Sequence, residues 1–234
     1  MHAAGLAAIL SLAIAAPVAA ATRSFPVAGF TRLKVDGPFD LRVHTGAPAA
    51  AVARGPRSGL DQLIVARKGD VLVVTSERGG NWPALNRGKA EAIRIDVAVP
   101  SLQALETTGS GSVGIDRIRA SMFSVLLTGS GELTIGWLDA GRFAAEVTGS
   151  GDIVVAGGRT GRSDVSLRGS GDFRGNGLAV GLLTASVTGS GDLLVGPTRV
   201  ARANLAGSGD IVIGGRPRCT GSRVGSGRLR CGAR

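Results

Sequence analysis

Five carboxylates recur at one place in a repeat. Glu132, Asp152, Asp172, Asp192 and Asp210 each follow a Gly-Ser-Gly triplet directly. In stacked coils they would stand along one edge about 4.8 Å apart, where neighbouring charges repel by about 1 kcal/mol even at the dielectric of water. Such a column calls for a cation or for hydrogen-bond donors. Calcium is the sharper hypothesis, because calcium-binding repeat toxins also set Asp in a glycine-rich turn, although on a repeat of about nine residues. The plainer account has each carboxylate accepting hydrogen bonds from turn N–H groups, as Asp does in Asx-turns. On that account the chain needs no cofactor.

Other residue types offer less chemistry. Apart from His2, the sequence has one histidine, His44, so a Ser-His-Asp triad would have to use it, and no Gly-x-Ser-x-Gly elbow occurs. A pair of carboxylates on one face could cleave a glycosidic bond. With Trp82 and Trp137 as the two tryptophans and no tyrosine, however, the chain lacks platforms for sugar rings. A non-catalytic protein is the expectation, and a polysaccharide-cleaving β-helix is the least supported reading. The serines of the triplets (Ser110 to Ser226) and a broken threonine column (Thr108, Thr128, Thr148, Thr188) read as structural ladders.

Cys219 and Cys231 are the two cysteines. In an oxidising compartment they read as a disulfide stapling the end of the chain, which for so short a loop contributes roughly 3 kcal/mol. A zinc site would lack two ligands. The formal net charge is +10. It concentrates at the C-terminus, where eight arginines from Arg199 to Arg234 face one acid, Asp210. For an exported chain this points to anionic envelope components rather than nucleic acid.

The elements that position these residues follow from the repeat. The triplet begins at Gly109, Gly129, Gly149, Gly169, Gly189, Gly207 and Gly225. The first five are evenly spaced, and the last two steps are slightly shorter than the rest. Apolar residues keep the same beat: Val113, Leu133, Ile153, Phe173, Leu193 and Ile211 stand four positions after the first glycine. Pairs such as Val125 and Leu127 precede the next triplet. Their alternation with polar residues is the period-two signature of half-buried strands. Leu138 and Leu178 could face inward on a third short side. A unit of this length cannot bury its apolar side alone, and a propeller blade needs about 40 residues. The fold expected is therefore all-β: a single-stranded parallel β-helix, or solenoid, with coils of about 20 residues.

Residues 1–21 read as a signal peptide for export, with an apolar run over 6–16, Pro17 and an Ala-rich cleavage site. No later stretch reaches the roughly 20 apolar residues of a membrane span. Residues 22–100 read as an irregular β part with strands at 30–35, 39–44, 63–66, 71–75 and 93–99 and a loop over 78–90. Residues 101–214 form the regular repeats, and 215–234 a basic, Cys-bearing cap.

The string Phe30-Thr31-Arg32-Leu33-Lys34-Val35-Asp36-Gly37-Pro38-Phe39-Asp40-Leu41-Arg42-Val43 resembles the opening of the bacterial DUF2807 family. So does Ile95-Asp96-Val97-Ala98-Val99-Pro100-Ser101-Leu102, which runs into the Gly-Ser-Gly-Asp repeats. The family is described as an auto-transporter adhesin head, or GIN, domain. The resemblance implies an exported solenoid-like fold in the periplasm, envelope or outside the cell, an adhesin-like role, and no catalytic residues. Ser112, Glu132 and Arg228 depart from its usual Asp. The function expected is an envelope-exposed binding or scaffold protein for a polymer, surface or protein partner. The alternative is an envelope-stress or assembly accessory acting through a protein.

Overall fold

The structure, a computed structural model, describes residues 21–77 and 93–233. Residues 1–20 of the segment read as a signal peptide, the stretch 78–90 with Trp82 read as a loop, and Arg234 lie outside the described residues. No described helix is long and apolar enough to cross a membrane.

The repeats fold as a three-sided parallel solenoid. In the coil 131–150 the buried residues are Gly131, Leu133, Ile135, Leu138, Ala140, Phe143, Ala145 and Val147. The period of two is broken by paired exposed residues at 136–137 and 141–142, and by the outward run 148–150. Each break is a corner, because a strand that stays straight cannot present two successive side chains to one face. The third side anticipated at Leu138 and Leu178 is present, and both residues are fully buried. Coils stack in strict register: Leu133 pairs with Ile153, Leu138 with Gly158 and Val147 with Leu167. The register survives the shortening of the last coils, where Val187 pairs with Leu205.

In chain order the elements are β1 (Ala21–Phe25), β2 (Arg32–Asp36), β3 (Asp40–Thr45), β4 (Ala50–Gly55), α1 (Arg57–Gln62), β5 (Leu63–Lys68), β6 (Val71–Ser76), β7 (Arg94–Val99) and β8 (Ala104–Gly109). There follow β9 (Ser112–Gly129) and β10 (Glu132–Gly149), each running round all three sides, then β11 (Asp152–Val155), β12 (Gly158–Gly169), β13 (Phe173–Gly175) and β14 (Leu178–Gly189). The rod ends with β15 (Leu193–Gly207), β16 (Ile211–Gly214), β17 (Arg218–Val224) and β18 (Leu229–Ala233). All belong to one 18-stranded sheet around one apolar core that reaches from Phe30 to Ile213.

The first half owes its irregular look to a stacking order that differs from chain order. β2 pairs in parallel with both β6 and β8, and β3 with both β7 and β9. The coil 32–45 is therefore sandwiched between β6 and β7 on one side and β8 and the start of β9 on the other, and Gly37-Pro38 turns the same corner that Gly-Ser-Gly turns later. Gly37 has a φ of 137° and aligns with Gly109 through the Asp36–Thr108 pair. β4 and β5 then run antiparallel to β7 and β6, and β1 runs antiparallel to β4. Periodicity did not indicate β1, β4 or α1. The helix seats Leu60 against the core, and Arg23 donates to the Leu60 carbonyl at 2.8 Å, which closes this end of the rod.

Two departures from the repeat compensate for each other inside. Phe123 and Phe143 stack on the side that leads into the next triplet, with centroids 6.1 Å apart, but the next coil has Ser163 at that position. The Phe173 ring, entering from the first side, fills the space and packs 6.2 Å from Phe143. Gly175 stands where other coils have Val155 and Val195, and a Cβ there would lie 2.8 Å from the Phe173 ring. The Ser163 hydroxyl is left buried without a hydrogen-bond partner among the described residues.

Candidate functional site

The carboxylate column lies at the corner built by Gly-Ser-Gly, and both glycines are required there. The first has a positive φ in every triplet, from 110° to 138°. The second packs against the coil before it: a Cβ on Gly171 would stand 2.1 Å from the Gly151 carbonyl oxygen. A residue with a side chain meets strain at the first position and a backbone clash at the second.

That corner leaves the following residue partly exposed, with its backbone N–H directed at the coil below. Glu132 and Asp152 give this N–H to the carbonyls of Gly111 and Gly131 at 3.1 Å. From the next coil on, a carboxylate takes over. The N–H of Asp172 donates to Asp152 Oδ1 at 2.9 Å, that of Asp192 to Asp172 at 2.8 Å, that of Asp210 to Asp192 at 2.8 Å, and that of Arg228 to Asp210 at 2.8 Å. Glu132 does not enter this ladder; its Oε1 lies 3.4 Å from the Thr134 hydroxyl. At three positions the second carboxylate oxygen faces an arginine: Arg174 bridges Asp152 and Asp172 at 3.3 and 2.6 Å, and Arg228 meets Asp210 at 3.2 Å. Among the described residues no group of three or more His, Cys, Asp or Glu is placed to hold a metal ion.

Opposite charges on adjacent coils also pair on the other faces. Arg159 binds Asp139 through two bonds of 3.1 Å, and that hydrogen bond is the main reason the Asp139 carboxyl titrates below its ordinary range. Asp164 sits between Arg142 and Arg162; partial burial opposes ionisation, but the two guanidiniums together hold its pKa below the ordinary value. Arg168 pairs with Glu146, and Arg54 with Asp96. His44 is exposed on β3 with Nδ1 3.4 Å from Asp116.

The basic end is different. Arg199, Arg202, Arg216, Arg218 and Arg230 are exposed and have no acidic partner among the described residues. Arg223 turns along the terminal coil and donates to the carbonyls of Gly225 and Gly227. Cys219 and Cys231 form a disulfide with Cα atoms 6.4 Å apart. Their register partners are the core residues Ala201 and Ile213. The bridge therefore stands where the other coils carry apolar side chains, at the end of the stack that no further described coil covers.

The family described as "Putative auto-transporter adhesin, head GIN domain", DUF2807, matches residues 29–217. The chain belongs to the DUF2807 family. Comparison with solved structures shows the same fold at low identity. A crystal structure named a putative adhesin, from Bacteroides fragilis, superposes with a TM-score of 0.82 at 20% identity, covering 90% of this chain and 96% of that one. A second putative adhesin, from Parabacteroides merdae, gives 0.71 at 16% identity over 92% and 96% of the two chains. A protein from Parabacteroides distasonis named a putative lipid binding protein gives 0.68 at 19% identity over 92% and 97%. No curated protein matches the chain.

In this DUF2807 chain the expected columns are therefore real neighbours in space. The serines differ from expectation: among the described residues the hydroxyls meet at one step, Ser208 to Ser226, at 3.1 Å. Sequence reasoning missed the cross-coil ion pairs, although their separations of 20 and 22 residues carry the repeat length and could have revealed them.

Proposed function

We propose that this DUF2807 protein is a non-catalytic, adhesin-like binding and scaffold domain, exported by the segment 1–21 and exposed at the cell envelope. Family membership over residues 29–217 is the observation that carries the reading. The architecture supports it. A coil-by-coil ladder with a continuous core makes a stiff rod, and its outward residues repeat along each face, as suits contact with an extended polymer or surface. From Asp152 to Asp210 the carboxylate column serves the stack: each Asp accepts a backbone N–H, and Asp152, Asp172 and Asp210 also face arginines, so no cation is needed to relieve the repulsion.

The test is binding of the purified chain to intact envelopes, cell surfaces and glycan arrays. Saturable binding is expected, with no cleavage of the polysaccharides bound. The accessory reading predicts instead no surface binding and co-purification with a membrane protein. The enzyme reading predicts a cleavage activity that disappears when Asp152, Asp172 or Asp192 is neutralised.

A further inference from the structure

The coils shorten from 20 to 18 residues after Gly189, as the steps from Asp172 to Asp192 and from Asp192 to Asp210 show, and this leaves a step in the wall of the rod. A groove of about 690 Å³ opens there, between β12, β14 and the last coils. It is lined by short or apolar residues, among them Val180, Gly181, Pro197 and Gly215, together with Arg199, Arg216 and Arg218. Thr198 is buried and its hydroxyl is used internally, donating to the Gly196 carbonyl at 3.0 Å, so it offers shape rather than an open donor. The Arg199 guanidinium lies over the groove floor, 3.2 Å from where a Cβ on Gly181 would stand. Arg159 also lines the groove, but Asp139 already neutralises it.

Three guanidiniums without acidic partners around one shallow cleft fit a phosphate ester, whose oxygens match their planar forks. The charge of the whole rod decides how such phosphates are presented. Residues 101–198 contain seven arginines and nine acids, whereas 199–233 contain seven arginines and one acid. Around the groove, Arg202 and Arg230 extend the positive charge to the other two sides of the same end, and Val224 is 71% exposed there. A single soluble phosphate would engage the groove alone. A plane of phosphates engages the groove and the surrounding ring together.

We propose that the groove at the coil-shortening step, with its ring of arginines, docks the C-terminal end of the rod onto the phosphate headgroups of an anionic lipid surface. This deepens the adhesin-like reading by naming the surface and the residues, and it rests on that reading.

The experiment is co-sedimentation of the full chain with phosphatidylcholine vesicles and with vesicles containing phosphatidylglycerol. Each basic residue near such a surface contributes roughly 1 kcal/mol, so Arg199→Gln/Arg216→Gln/Arg218→Gln should weaken binding to the anionic vesicles by about a hundredfold. Arg42→Gln/Arg57→Gln/Arg119→Gln, with the same charge change on the body of the rod, should weaken it less than threefold. Thermal unfolding of both variants checks that they are folded. Equal losses in the two variants would show a net-charge effect and overturn the site. Absence of vesicle binding, or binding of inorganic phosphate or dextran sulfate without vesicle binding, would overturn the lipid assignment. If the chain still adheres to cells or glycans while ignoring vesicles, this inference fails and the adhesin-like reading stands; if it binds none of them, both fail.

Discussion

A single residue in this protein matters according to which neighbouring coil it touches. Gly171→Ala would drive a methyl group into the Gly151 carbonyl, 2.1 Å away. It should cost about 1–3 kcal/mol or more in denaturant unfolding, as overpacking of packed interiors does. Ser170→Ala, beside it but exposed and outside any hydroxyl ladder, should stay within about 0.5 kcal/mol. The carboxylates make a graded prediction. Asp172→Ala leaves the Asp192 N–H without its acceptor and should cost about 1–2 kcal/mol. Asp172→Asn keeps an oxygen at that place and should cost less than half as much. Because N–H groups, joined by arginines at three positions, already answer the Asp column, millimolar calcium against chelator should leave the melting midpoint unmoved. A calcium site filled at a hundred times its dissociation constant would instead stabilise by about 2.7 kcal/mol.

At the scale of the coil, packing is a joint property of positions far apart in sequence. Gly175→Val restores the residue type of the neighbouring coils but collides with Phe173, so it should destabilise the protein. In a Phe173→Leu background the same change should be neutral or stabilising, a coupling that a double-mutant cycle reads directly. Ionic contacts contribute to the acid limb. Asp164 has a folded pKa below its ordinary value of 3.8, so its pairs with Arg142 and Arg162 stabilise the protein fully above that value. That stabilisation is lost as pH falls through the lower folded pKa. Asp164→Asn should therefore flatten the stability profile at the acid end and change nothing in its shape near neutrality. It should be measured at low salt, because these charges are partly exposed and screened.

For the whole molecule, a stack is as secure as its ends. α1 and Leu60 close the first end with apolar contacts, whereas a disulfide across the last coil closes the second. Reducing Cys219–Cys231 should lower global stability by up to about 3 kcal/mol, the chain-entropy value for a loop of this length. Amide exchange should rise first in β17 and β18 and later in β10 to β14, since each coil leans only on its neighbours. Exchange rising uniformly along the rod would contradict that picture. The same end carries the arginines without acidic partners, so reduction should also weaken anionic-surface binding if the groove depends on the order of the last coil.

Much of this architecture is legible in the sequence because a solenoid repeats its local rules. Recurring Gly-Ser-Gly marks the corner, alternation marks the inward residues, and the constant place of the carboxylate after each triplet puts the carboxylates in one column. Two cysteines in a short tail have little choice of partner. What the tertiary structure alone decided are the places where the chain breaks its own order. Nothing local in Arg32 to Thr45 says that it lies between β6 and β7 on one side and β8 and the start of β9 on the other, since parallel pairing has no turn to fix its partner. The exchange among Ser163, Phe173 and Gly175 depends on volume shared across the interior, which no single position records. The carboxylates were visible as a column, but which N–H each accepts depends on one methylene: Asp reaches the next coil and Glu132 does not. The arginine groove was visible only as charge, and as a shorter spacing between the last triplets. Its shape comes from the step that the shortening makes between stacked coils.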